Sequence, residues 1–216
     1  MPYFYNNEIN VLFIHIPKTG GTSITKYFSK KYNIPLDINS FCGNNYGKKI
    51  PLCTDHFILN TIVTIYGNKI NKNNLTILVV VRNPYYRIIS ELFYRNEINV
   101  NNTSDEIEKK ISIKIDEYLK FFHYFDNHYV PQYRFLCNKE EQLYKNLTIL
   151  KFENLNNEMH KNGFEDFNIF LNNNNKNVNY MSYLNNNSIQ LINKIYKKDF
   201  DFFGYEMINT NKNIIN

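Results

Sequence analysis

Phe13-Ile14-His15-Ile16-Pro17-Lys18-Thr19-Gly20-Gly21-Thr22-Ser23 runs from an apolar segment through a Lys-Thr-Gly-Gly turn into two hydroxyl residues. Val11 to Ile16 is almost wholly apolar and predicts a central parallel strand buried on both faces. Gly20 and Gly21 then permit a sharp turn and let an anion come close to the main-chain N–H groups. Thr22 or Ser23 is expected to cap a helix running from Ser23 to about Tyr32. The N-terminal donors and positive dipole end of that helix favour a bound anion. Lys18 adds a full charge there, so the residues from Lys18 to Ser23 read as a pocket for a phosphate-like dianion.

A second unit has the same form. Leu75 to Val81 is an apolar, β-branched strand that leads directly into Arg82-Asn83-Pro84-Tyr85-Tyr86-Arg87-Ile88-Ile89-Ser90. Pro84 suits the first turn of a helix, where its missing N–H costs nothing. Arg82 at the strand end and Ser90 two turns into the helix are placed to converge on one anion, a guanidinium fork with a hydroxyl donor. Arg87 has a plainer use, pairing with Glu91 one turn on.

Lys18 precedes both glycines, whereas the Walker lysine follows the second. The Lys18 order resembles the 5′-phosphosulfate loop of sulfotransferases that use 3′-phosphoadenosine 5′-phosphosulfate (PAPS). His15 to Thr22 is similar above all to the heparan- and chondroitin-type glycan O-sulfotransferases. Arg82 and Ser90 resemble that family's 3′-phosphate motif. Glu153-Asn154-Leu155 and the closing Asp199-Phe200-Asp201-Phe202-Phe203-Gly204-Tyr205 are also similar to family segments, so the resemblance spans about residues 11–206.

The resemblance implies an α/β, P-loop-like three-layer fold with a central, mainly parallel β-sheet flanked by helices, in a single domain over residues 1–216. It implies PAPS as donor, PAP (3′,5′-adenosine diphosphate) as product, a carbohydrate hydroxyl as acceptor and no metal. Lys18 would neutralise the leaving phosphate. His56, in Cys53-Thr54-Asp55-His56-Phe57, falls between the two loops where 2-O-sulfotransferase-like proteins carry their catalytic histidine. An unperturbed imidazole titrates near neutral pH, which suits a base. His128 and Gln132 resemble a His-x-x-Pro-Gln segment near the acceptor cleft, and Asn179, Tyr180 and Ser182 a segment near the 3′-phosphate. His15 reads as structural, His123 lies in an apolar helix and His160 in a polar stretch.

Elsewhere the pattern is coarser. Asn33 to Asp55 reads as a loop over the active face and His56 to Tyr66 as a short apolar segment. Ile107, Ile111, Ile115, Tyr118, Leu119 and Phe122 recur at helical spacing within Glu106 to Phe125. Leu147 to Phe152 is a third strand, followed by a helix bearing Phe164, Phe167, Phe170 and Leu171, and a last helix covers Ser188 to about Lys198. Strands alternating with helices predict a parallel sheet with ligands at the strand carboxyl ends.

Composition bounds the function class. The 216 residues suffice for one α/β domain, and a net charge of +5 suits a polyanionic cofactor but lacks the concentrated basic stripe of a nucleic-acid binder. Cys42, Cys53 and Cys137 have no metal-ligand spacing, although a Cys42–Cys53 bridge stays open. With no apolar signal core and no long apolar run, the chain is expected to be intracellular and without a membrane span. Asparagine tracts read as exposed connections or biased coding, and the sequons they create make no case for glycosylation. Two other readings stay open: a P-loop-type nucleotide kinase, disfavoured by the Lys18 order and by the lack of an evident Mg²⁺ aspartate, and a non-catalytic nucleotide-binding protein.

Overall fold

The computed structural model describes residues 2–35, 54–121, 126–168 and 179–210. Cys42, Cys53, His123, Phe170, Leu171 and most of the Asn33–Asp55 loop lie outside the described residues. Strands β1 (Tyr3–Tyr5), β2 (Asn10–Ile14), β3 (Thr76–Val81) and β4 (Leu147–Lys151) form one sheet in that spatial order. The edge strand β1 is antiparallel to β2, and β2, β3 and β4 are mutually parallel. Val81 pairs with Lys151 and Ile14 with Val79, so β3 and β4 end level and β2 ends two residues short of them. The loops that follow them therefore open at one edge of the sheet.

Seven α-helices occur among the described residues: α1 (Gly21–Lys31), α2 (Leu59–Tyr66), α3 (Pro84–Tyr94), α4 (Ser104–Lys120), α5 (Leu155–Lys161), α6 (Asn186–Ile195) and α7 (Lys197–Phe203). Successive side chains of a strand point to opposite faces, and both faces here are apolar. Val11, Phe13, Leu78, Val80 and Leu150 pack with Ile24 and Phe28 of α1 and Leu155 and Met159 of α5. Leu12, Ile14, Val79 and Val81 pack on the other side with side chains of α2, α3, α4, α6 and α7. The result is the expected three-layer α/β fold. No helix among the described residues is long and apolar enough to cross a membrane.

Several local expectations are corrected. Gly20 is the N-cap of α1 at φ 90°, with no side-chain cap bond, so Thr22 and Ser23 belong to the first turn instead of capping it. The helix after β4 ends at Lys161 and not beyond Phe164, because the turn through Gly163 at φ 86° breaks it. The last helix is two, α6 and α7, meeting at Tyr196. The edge strand β1 had no sequence signal at three residues. The asparagine bias finds a partial explanation: Asn33, Asn74, Asn96, Asn127 and Asn146 all take positive φ. Asn tolerates that left-handed region better than most side chains, in a chain with only 7 glycines.

Candidate active site

The Lys18–Ser23 loop leaves β2 through His15, Ile16 and Pro17. Lys18 sits at φ 65°, a left-handed backbone that a long side chain seldom adopts. Thr19 is fully buried and its hydroxyl donates to the Ile16 carbonyl at 2.8 Å, which fixes the turn from inside. Gly21 has no room for a side chain: a Cβ there would lie 1.9 Å from the His15 ring. The Lys18 ammonium rests 3.8 Å from the centroid of the Tyr94 ring at the end of α3. Burial pushes its pKa down, Glu91 opposes, and the Arg82 and Arg95 cations push in the same direction as burial.

The second loop lies beside the first. Arg82 follows β3, and its Nη1 donates to the Lys18 carbonyl at 3.1 Å, joining the two loops directly. Its guanidinium lies 4.3 Å from the Phe152 ring centroid, and 5.5 Å from that of Tyr180. The Arg82 Nε is buried without a protein partner. Ser90 is half-buried on α3 between Tyr86 and Phe93, whose rings both pack on Tyr180. Arg82 thus lies beside the tyrosine on which the two helical neighbours of Ser90 pack.

Three histidines cluster at the mouth of the first loop. The His56 and His15 ring centroids are 4.7 Å apart, and those of His56 and His128 are 5.0 Å apart. His56 Nδ1 lies 3.0 Å from the His15 carbonyl. A carbonyl only accepts, so Nδ1 carries the proton and Nε2 is left as the basic nitrogen. His128 Nδ1 likewise donates to the Glu91 carboxylate at 2.7 Å. Burial alone would raise the Glu91 carboxyl, but bonds from His128 and from Arg95 Nε, the latter at 2.6 Å, hold it below its usual range. Burial lowers His56 to about 4, against the favourable bond to His15, and lowers His15 to about 3. Burial also lowers His128, against Glu91. His56 Nε2 lies 3.7 Å from the Asp126 carboxylate.

A sequence model described as the sulfotransferase family matches residues 1–206. The chain belongs to the sulfotransferase family. Sulfuryl transfer is that family's chemistry, generally with PAPS as donor and PAP as product. Searches of curated proteins and of solved structures return no significant match.

In this sulfotransferase the two loop motifs and His56 come to the carboxyl edge of the sheet, as their order in sequence implied. Gln132 is fully buried, and its amide is committed to the backbone of Arg82, accepting from its N–H at 2.9 Å and donating to its carbonyl at 2.8 Å. It braces the end of β3 and exposes no surface of its own. Arg87 does not pair with Glu91; its Nε donates to the Pro17 carbonyl at 3.0 Å and its Nη2 to the His128 carbonyl at 2.8 Å. That guanidinium clamps α3 to the first loop and to the His128 segment. Glu91, Arg95 and Asp126 were missed by sequence reasoning. Only the first left a signal, an acid on the apolar face of a helix, fully buried here.

Proposed function

We propose that the chain is a PAPS-dependent O-sulfotransferase that acts on a carbohydrate hydroxyl, with His56 as base and residues 1–216 forming one domain with its core over about 11–206. The observation that carries this reading is the bond from Arg82 to the Lys18 carbonyl, because it merges two separate anion loops into one cleft beside His56. A single phosphate needs one such loop; a donor with a 5′-phosphosulfate and a 3′-phosphate needs both. The residues from Lys18 to Ser23 hold the 5′ end, and Arg82 and Ser90 the 3′-phosphate, with Tyr180 between. His128 contacts the acceptor.

The chemistry follows from positions and charges. His56 Nε2 takes the proton of the acceptor hydroxyl as its oxygen bonds to sulfur. The bond from sulfur to the bridging phosphate oxygen breaks, and its electron pair stays on that oxygen. Lys18 neutralises the charge that grows there, an interaction strongest in the transition state. The products are the sulfated acceptor, PAP and a proton on His56.

Two measurements test this. PAP should raise the melting temperature, with a shift that keeps growing as the logarithm of its concentration above its dissociation constant, while ATP–Mg²⁺ should leave it unchanged, since only a ligand of the folded form stabilises it. Stabilisation by ATP–Mg²⁺ alone would instead favour a kinase. With labelled PAPS and a panel of glycans, His56→Ala should lower transfer by roughly 10²- to 10⁴-fold while keeping PAP stabilisation. Arg82→Ala should weaken PAP binding itself by at least about tenfold, the scale of a lost charged hydrogen bond.

A further inference from the structure

The same corner of the molecule carries a second capacity. His56, Asp126 and His128 each offer one ligand atom, and the three atoms all lie within 4.8 Å of one another. We propose that these three side chains bind one divalent transition ion of the zinc class, and that loading the ion withdraws His56 from proton transfer. The binding half stands independently of the sulfotransferase reading; the inhibitory half rests on His56 as base.

Four features support the site. Both imidazoles are oriented from behind, His56 through Nδ1 on the His15 carbonyl and His128 through Nδ1 on Glu91. That is the outer-shell arrangement metal-bound histidines use to fix ring orientation and tautomer. Burial keeps both rings neutral near pH 7, the protonation state that ligates. Asp126 and Asn127 turn through left-handed backbone at φ 53° and 62°, and the Asn127 amide donates to the His56 carbonyl at 2.8 Å. The loop carrying Asp126 and His128 is thereby pinned to the segment carrying His56. Finally, two imidazoles and one carboxylate select zinc, cobalt or nickel over magnesium or calcium, which favour oxygen donors.

Zinc–nitrogen bonds of about 2.0–2.1 Å in tetrahedral geometry require ligand atoms about 3.4 Å apart, so loading draws in atoms that now lie within 4.8 Å of one another, with His56 Nε2 already 3.7 Å from the Asp126 carboxylate. Three protein ligands leave a fourth position for water or an acceptor hydroxyl. The His56 Nε2 lone pair is then shared with the ion and accepts no proton. No bond of the donor is broken in this step.

The test uses the full metal-free chain titrated with Zn²⁺ against a chromophoric chelator, and with Co²⁺ followed by its visible absorption. One equivalent should bind, and Asp126→Asn, His128→Ala and His56→Ala should each weaken it at least about tenfold. Asp126→Asn guards against misfolding because it neutralises a partly exposed carboxylate without changing its shape, and PAP stabilisation of each variant reports its fold. Absence of binding, or equal affinity in all three variants, overturns the site. Zn²⁺ should suppress sulfuryl transfer and EDTA restore it; stimulation by Zn²⁺ overturns the inhibitory half. If PAP fails to stabilise the wild type while Zn²⁺ still binds, the sulfotransferase reading of the cleft falls and the metal site stands.

Discussion

His56 shows how far a side chain's chemistry depends on what encloses it. In water its imidazole would be half-charged near pH 6.5, but burial lowers it to about 4 and the neighbouring His15 to about 3. Between about pH 6.5 and 4 the unfolded chain takes up protons that the folded chain refuses, so stability is complete above 6.5 and declines as pH falls through that window. The melting temperature should therefore drop steadily from pH 6.5 to 4, and His56→Asn should make that drop shallower. The same depression would keep His56, the proposed base, unprotonated in mild acid. The acid limb of kcat/KM should fall near pH 4 to 5 and not near 6.5; a limb at 6.5 would mean that His56 is not the titrating base.

At the scale of elements, α3 is the piece that organises the cleft. Its start was readable from Pro84 at the first position; the Asn83 cap, whose side chain accepts from the Tyr85 N–H at 3.0 Å, is added by the structure. Its function in the fold was not. Arg87 reaches carbonyls at Pro17 and His128, 70 and 41 positions away, and nothing in a helical repeat encodes a partner at that separation. The same holds for Glu91 and His128, 37 positions apart. The glycine turn and the apolar strands were legible because their physics is contained within a few residues; the groups that orient the histidines were not. Arg87→Met keeps the stem but strands two buried carbonyls. It should lower stability by about 3 kcal/mol in urea unfolding and lower transfer as well, by freeing the first loop from α3.

For the whole molecule, the decisive long-range contact runs through Asp199 of α7. This fully buried carboxylate accepts from the Gln132 N–H at 2.8 Å and the Tyr133 N–H at 2.9 Å, while Gln132 in turn holds both backbone groups of Arg82. Burial pushes the Asp199 carboxyl up to about 6 in spite of those donors. Asp199→Asn turns an amide hydrogen toward one of them. A loss of about 2–3 kcal/mol is expected in urea unfolding, together with weaker PAP stabilisation because the Arg82 loop loses its brace. The closing Asp-Phe segment was recognisable in sequence as a family likeness, but its purpose was visible only once three distant segments met. That arrangement also orders events during synthesis. Strands β2, β3 and β4 emerge from the ribosome before α7 does, yet the buried amides of Gln132 and Tyr133 find their acceptor only with Asp199. A nascent chain can pair its sheet early, but the brace behind the Arg82 loop closes only once α7 has emerged.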